Sequence, residues 1–214
     1  MLERSLVHID ETTVQVLNEP GKTAQSKSYM WLMASFTHEP ITLFHYAPTR
    51  SQQIPNELLA DSVNTLMVDG YNGYQPACDE HQIQRLGCWA HARHKFMDAK
   101  KIQPKGKAGK ADQALAWIQK LYLIEKQIKN DPLDRRYQIR QQQAKPIIDD
   151  IKKWLQKSVL HVPPKTALGK ALTYLHNQWD RLIGYLHDGA YPIDNNLAEN
   201  AIRPFAIGRK NWLF

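Results

Sequence analysis

The sequence predicts an α/β fold: a mixed sheet with an all-helical insertion ahead of a last helix. Three observations predict it. Apolar-rich segments of period two follow one another at the N-terminal end, joined by short connections. A helical stretch then leads into an apolar run, Thr65-Leu66-Met67-Val68, that stops at Asp69-Gly70. Beyond about residue 100 the apolar period changes from two to the alternating three and four of a helix.

Leu6 to Val16 reads as the first strand. Val7 and Ile9 face one way, His8 and Asp10 the other. Val14 and Val16 share parity with Asp10, which predicts a bulge near Glu11-Thr12. Asn18-Glu19-Pro20-Gly21 is a turn. Ser28 to Thr37 is the second strand and Ile41 to Tyr46 the third, with His38-Glu39-Pro40 between them. Connections this short imply an antiparallel meander.

Ser51 to Asp61, with Pro55 early, reads as a helix. A helix between strands is the crossover that permits parallel pairing. It feeds the strand that ends at Asp69, where Leu66 and Val68 share one face and Met67 and Asp69 the other. A carboxylate at the end of a buried strand needs a cation or several donors; Asp-Gly is also a common turn pair. Pro76 to Gln82 reads as a short helix, Ile83 to Cys88 as a short fifth strand, and Trp89 to Lys101 as a basic helix.

Lys100, Lys101, Lys105, Lys107 and Lys110 crowd a Gly-containing loop. Helical stripes follow: Trp117, Leu121, Ile124 and Ile128; Ile147, Ile151, Trp154 or Leu155, and Val159; then Leu168 through Leu186 at steps of four and three. These are packing faces. They place a helical insertion at residues 105–190, between a core at 1–104 and a final segment at 191–214. In that segment Asp194 or Asn195 can cap a helix. Asn196, Glu199 and Arg203 share one face, Leu197, Ala198, Ala201 and Ile202 form the buried side, and Pro204 ends or kinks the helix.

The chain has 214 residues, 43% hydrophobic, which suits a globular core. Its net charge of +7 favours a polyanionic partner. Two cysteines, Cys78 and Cys88, argue against a disulfide scaffold. No run approaches membrane-spanning length and the N-terminus has no apolar signal segment, so a soluble intracellular protein is expected.

A three-strand meander, a helix and a parallel strand bearing an acid describe a ribonuclease H-like sheet. That topology sets the fourth strand beside the first, so Asp10 and Asp69 meet, and Glu199 on a late helix would complete a cluster. Three carboxylates cannot stay ionised together unaided. A pair of divalent cations resolves the conflict, and hard oxygen ligands select Mg²⁺ or Mn²⁺. Two such ions suit attack on a phosphodiester. Cys78, His81, Cys88 and His91 also have the spacing of a small zinc site, against which Cys88 reads as a buried small apolar residue.

Four blocks carry a resemblance to a known family. They are His8-Ile9-Asp10-Glu11-Thr12, Asp69-Gly70-Tyr71-Asn72-Gly73-Tyr74, Cys88-Trp89-Ala90-His91-Ala92-Arg93 and the segment Asp194 to Phe214. Together they resemble transposases of the insertion sequence 66 group. The resemblance implies a DDE transposase catalytic domain, with Asp10, Asp69 and Glu199 as catalytic and metal-holding acids. It implies cleavage and strand transfer at transposon ends, a homo-oligomer with accessory proteins, and a bacterial cytoplasmic, nucleoid-associated setting. It places His91 near the scissile phosphate. His91, Arg93, Asn196, Arg203, Arg209 and Lys210 are the candidate DNA contacts. Family members extend beyond both ends of this chain, so a truncated or partial copy is expected. Two rival functions use the same residues: a ribonuclease H-like nuclease without strand transfer, and an inactive DNA-binding or assembly module.

Overall fold

Period-two alternation builds the sheet seen in the computed structural model, which describes residues 6–36, 39–59, 63–103 and 108–211, with side chains to Gly208 in the last helix. The strands are β1 (Leu6–Gln15), β2 (Lys27–Ser35), β3 (Ile41–Ala47), β4 (Thr65–Val68) and β5 (Gln84–Gly87). Their order across the sheet is β3-β2-β1-β4-β5. β1 pairs β2 and β2 pairs β3 antiparallel, while β1 pairs β4 in parallel. The protein is therefore a mixed α/β fold. The crossover to β4 carries α1 (Gln53–Leu58), and α2 (Gln75–Glu80) follows β4.

The chain forms two compact units, residues 1–85 with 195–214 and residues 86–194. In the sheet unit, Val7, Ile9, Trp31, Leu66, Val68 and Tyr74 share one buried core. The bulge expected near Glu11-Thr12 does not occur. The β1/β2 register runs unbroken from His8↔Ala34 to Gln15↔Lys27. β1 is fully buried only over Leu6–Ile9, and Asp10–Val14 are half-buried. Out there the parity of Val14 reports no choice of core face.

The helical unit holds α3 (Trp89–Lys101), α4 (Lys110–Gln127), α5 (Leu133–Ile139), α6 (Lys145–Val159), α7 (Ala167–Asn177) and α8 (Trp179–Ile183). Leu121, Ile124, Ile151, Leu155, Leu172 and Leu182 are buried in its core, so the helical stripes are packing faces. Residues 104–107 of the lysine-rich loop lie outside the described residues. A π-helical turn, Arg140–Ala144, joins α5 to α6. The Leu168–Leu186 series does not form one helix. Gln178 leaves helical dihedrals between α7 and α8, yet its N–H bonds the Tyr174 carbonyl and its carbonyl accepts from Leu182 N–H. Four-residue bonding carries the periodicity across the break.

The last helix, α9 (Asn196–Asn211), belongs to the sheet unit. It continues past Pro204 instead of ending there. Asn200 and Pro204 are both exposed, so water can take the Asn200 carbonyl that proline cannot serve. Ala198 and Ile202 pack on Leu32 and Ala34 of β2. Leu197, expected on the buried side, is 48% exposed because the sheet-facing stripe is the narrower Ala198–Ile202 row.

Candidate active site

Parallel pairing sets the first two acids. The β1/β4 register is Leu6↔Thr65, Val7↔Leu66 and His8↔Met67. Two residues past the last pair each strand carries an aspartate, Asp10 and Asp69. The two acids therefore stand at matching positions on neighbouring strands, Asp10 within β1 and Asp69 just past the end of β4.

α9 supplies the third. Leu32 and Ala34, the cross-strand partners of Asp10 and His8, form the apolar seat for Ala198 and Ile202. So α9 covers the face on which His8 and Asp10 point. Glu199 N–H bonds the Asn195 carbonyl at 3.1 Å, which opens the helix. The Asn195 side chain is buried, with Oδ1 at 2.8 Å from His8 Nδ1 and Nδ2 donating to the Ile9 carbonyl at 2.9 Å. Glu199 thus sits one turn beyond a clamp on β1.

The three acids share one electrostatic neighbourhood. Burial, first, then the charges of Glu11 and Glu199 push the Asp10 carboxyl up to about 7, with a smaller push from Asp69. Among the described residues, no choice of one oxygen from each of Asp10, Asp69 and Glu199 brings all three within 4.8 Å of one another. Asp69 also caps its turn: Oδ1 accepts from Tyr71 N–H at 2.8 Å. Arg85 Nη2 pins that turn, donating to the Asp69 and Tyr71 carbonyls at 2.9 and 2.7 Å.

With the acids placed, likeness to known proteins settles the family. The Transposase IS66 family matches residues 1–214. The chain belongs to that family. Similar relatives include three uncharacterized proteins of Sinorhizobium fredii (strain NBRC 101917 / NGR234). Protein y4hP is 29% identical over 224 residues, covering 97% of this chain and 41% of the relative. Protein y4qI is 29% identical over 225 residues, covering 99% and 41%. Protein y4jD is 27% identical over 220 residues, covering 97% and 42%. The chain thus spans about two-fifths of the length of these curated relatives.

The other candidates of this IS66 chain fall in several places. Asn196 and Arg203 are exposed on α9. The side chains of Arg209 and Lys210 lie outside the described residues, as does Trp212. His91 and Arg93 lie on α3 of the helical unit, His91 half-buried and Arg93 exposed with its guanidinium 5.8 Å from the Tyr122 ring centre. Cys78 is buried in the sheet unit's core and Cys88 is buried in the helical unit. No described helix is long and apolar enough to cross a membrane.

Glu11 was not among the expected site residues. It alternates onto the face of Val7 and Ile9, away from Asp10, and its side chain is 3% exposed. Tyr74 OH donates to Oε2, and Arg50 Nε donates to Oε1 at 2.6 Å. The parity was readable in advance: an acid following Val7 and Ile9 on a buried face must find donors.

Proposed function

We propose that this chain is the catalytic part of a DDE-type transposase built on a ribonuclease H-like sheet, cutting DNA at transposon ends and joining it to a target strand. The observation that carries this reading is the β1/β4 register, which sets Asp10 and Asp69 at matching positions with Glu199 coupled to Asp10 from α9. The strand order β3-β2-β1-β4-β5 supports the fold assignment.

The donor set fits Mg²⁺ or Mn²⁺, since it is all carboxylate oxygen and carries an unresolved repulsion at Asp10. Two divalent ions bound there would activate an attacking oxygen and stabilise a leaving one. The chain's own part is positioning. Asp10 on the central strand, Asp69 fixed by its turn and Glu199 carried by α9 are the carboxylates that would hold the ions. In the reaction, water attacks the phosphorus at the transposon end and the bond to the 3′ oxygen breaks, freeing a 3′-hydroxyl. That hydroxyl attacks a target phosphodiester and displaces the target's own 3′ oxygen. No protein–DNA bond forms.

The distribution of charge supports a DNA partner. Residues 86–194 contain 20 of the 28 Lys and Arg but 10 of the 21 Asp and Glu. The helical unit is therefore +10 and the acid-bearing sheet unit −3. Lys152, Lys153 and Lys157 are exposed on α6 and Arg93 on α3. Neutralising phosphates is what such a surface does best. In this reading His91, Arg93, Asn196, Arg203, Arg209 and Lys210 touch DNA, and the active form is a homo-oligomer aided by accessory proteins.

The test uses the full-length parent protein, a duplex carrying its terminal repeat, and Mg²⁺. Strand cleavage and joining are expected, with Asp69→Asn and Glu199→Gln abolishing both. Undiminished cleavage by Asp69→Asn would overturn the assignment. Cleavage with no joined product would mark a nuclease instead.

A further inference from the structure

Arg50 stands between two carboxylates, Glu11 and the candidate acid Asp69, which compete for it. Its Nε donates to Glu11 Oε1 at 2.6 Å and its Nη2 pairs with the same oxygen. The same Nη2 stands 3.9 Å from Asp69 Oδ2, beyond hydrogen-bond reach. Three further contacts hold the guanidinium on the Glu11 side. Tyr74 OH occupies the other Glu11 oxygen and fixes the carboxylate. The guanidinium carbon lies 3.9 Å from the centre of the Tyr71 ring, a stacking distance. Tyr71 OH donates back to the Arg50 carbonyl. Glu11 is almost wholly buried, whereas Asp69 and Arg50 keep access to solvent. Buried in this way, Glu11 is the carboxylate with the most to lose if the arginine leaves.

We infer that Glu11 is a positioning residue for Asp69: it retains the Arg50 guanidinium and so leaves the outward oxygen of Asp69 open to a metal cation. This rests on the proposed role of Asp69 as a metal-holding acid. A close Arg50–Asp69 pair would be a charge-assisted contact of about 2.7–2.9 Å, and a divalent ion would have to displace it. Glu11 removes that competition while keeping the local charge balanced. The tyrosines follow from the same need. Tyr74 supplies the one donor a glutamate oxygen still requires, and Tyr71 offers the guanidinium a face to rest on without a competing charge.

The test compares the full-length parent with Glu11→Gln, which keeps shape and loses charge. In a crystal structure of Glu11→Gln, Arg50 should close on Asp69 to about 3 Å. Calorimetry with Mn²⁺ should show affinity at least about tenfold weaker than the parent's, and Glu11→Gln/Arg50→Gln should recover it. Glu11→Asp, which keeps the charge, should lose less than Glu11→Gln. If Glu11→Gln folds poorly, Arg50→Gln alone serves: it should bind Mn²⁺ at least as tightly as the parent. An Arg50 still beyond 3.5 Å of Asp69 in Glu11→Gln, an unchanged Mn²⁺ affinity, or a double variant no better than the single one would each overturn the inference. A merely structural Glu11 predicts those results with a lowered melting temperature. A parent that takes up no Mn²⁺ overturns the metal reading itself, and the crystal distance then decides whether Glu11 holds Arg50 away.

Discussion

His8 and Asn195 are joined across 187 positions by a buried 2.8 Å contact, Nδ1 to Oδ1. The amide nitrogen of Asn195 already donates to the Ile9 carbonyl, so its oxygen is the acceptor and His8 carries its proton on Nδ1. One asparagine thereby fastens the start of α9 to β1. Asn195→Ala strips a partner from both the histidine and the Ile9 carbonyl. It should cost about 1–3 kcal/mol in denaturant unfolding and weaken any activity that needs Glu199 beside Asp10. A change within about 0.5 kcal/mol would show the clamp to be incidental.

Asp10 gives a pH dependence whose sign is fixed. Its folded carboxyl is raised, from burial first, to about 7, above the unfolded value of 3.8. The folded state therefore holds the proton longer than the unfolded one, and this group lowers stability as pH rises from about 4 to 7. Asp10→Asn should melt higher than the parent at pH 8 in chelator, match it near pH 4, and be inactive. Mn²⁺ should raise the parent's melting temperature more at pH 8 than at pH 5, because protons compete for the same oxygens. Equal melting of parent and Asp10→Asn at pH 8 would remove the premise.

Arg140 is the buried charge of the helical unit. Its Nε and Nη2 grip Glu125 at 2.9 and 2.6 Å, and its remaining donors reach the carbonyls of Tyr185, Asp188 and Tyr191. Arg140→Met leaves Glu125 and three carbonyls without that partner and should cost about 3–5 kcal/mol. Adding Glu125→Leu should restore a good part of it. A single substitution costing under about 1 kcal/mol would contradict this reading.

Asp112 closes the first turn of α4. It accepts from Gly109 N–H at 2.9 Å and from Gln103, and pairs with Lys100. The Gly109 backbone bond first, then Lys100 and Gln103, hold its carboxyl well below the usual range. A depressed folded pKa stabilises above the unfolded value and fades as pH falls through the folded one. Asp112→Asn should therefore melt lower than the parent at pH 7, with the gap closing in strong acid.

Lysines on α6 test the charge asymmetry. Replacing Lys152, Lys153 and Lys157 with Gln should weaken binding to any duplex and flatten the plot of log affinity against log salt. The slope should fall by about 0.9 for each phosphate that is no longer neutralised. An unchanged slope would move the DNA surface off α6.

The legible parts of this protein were those set by local period. Val7 and Ile9 against His8 and Asp10 announced both faces of β1, and the four-and-three spacing from Leu168 announced packing helices even where Gln178 interrupts them. Asp10 and Asp69 were legible as a pair because a crossover helix implies parallel strands. The misreadings share a cause. Val14 lies where β1 leaves the core, and Pro204 lies on an exposed helix face, so rules for buried segments did not govern them.

What the sequence alone determined is therefore the succession of elements and the acids they carry, since strand and helix periods depend only on near neighbours. What only the tertiary structure decided is the company those side chains keep. Glu11 acquires Arg50 and Tyr74, His8 acquires Asn195, and Arg140 becomes a wholly buried hub at a π-helical turn. Alternation tells which way a residue points; the free energy of a buried charge depends on distant groups that arrive only when the chain has folded.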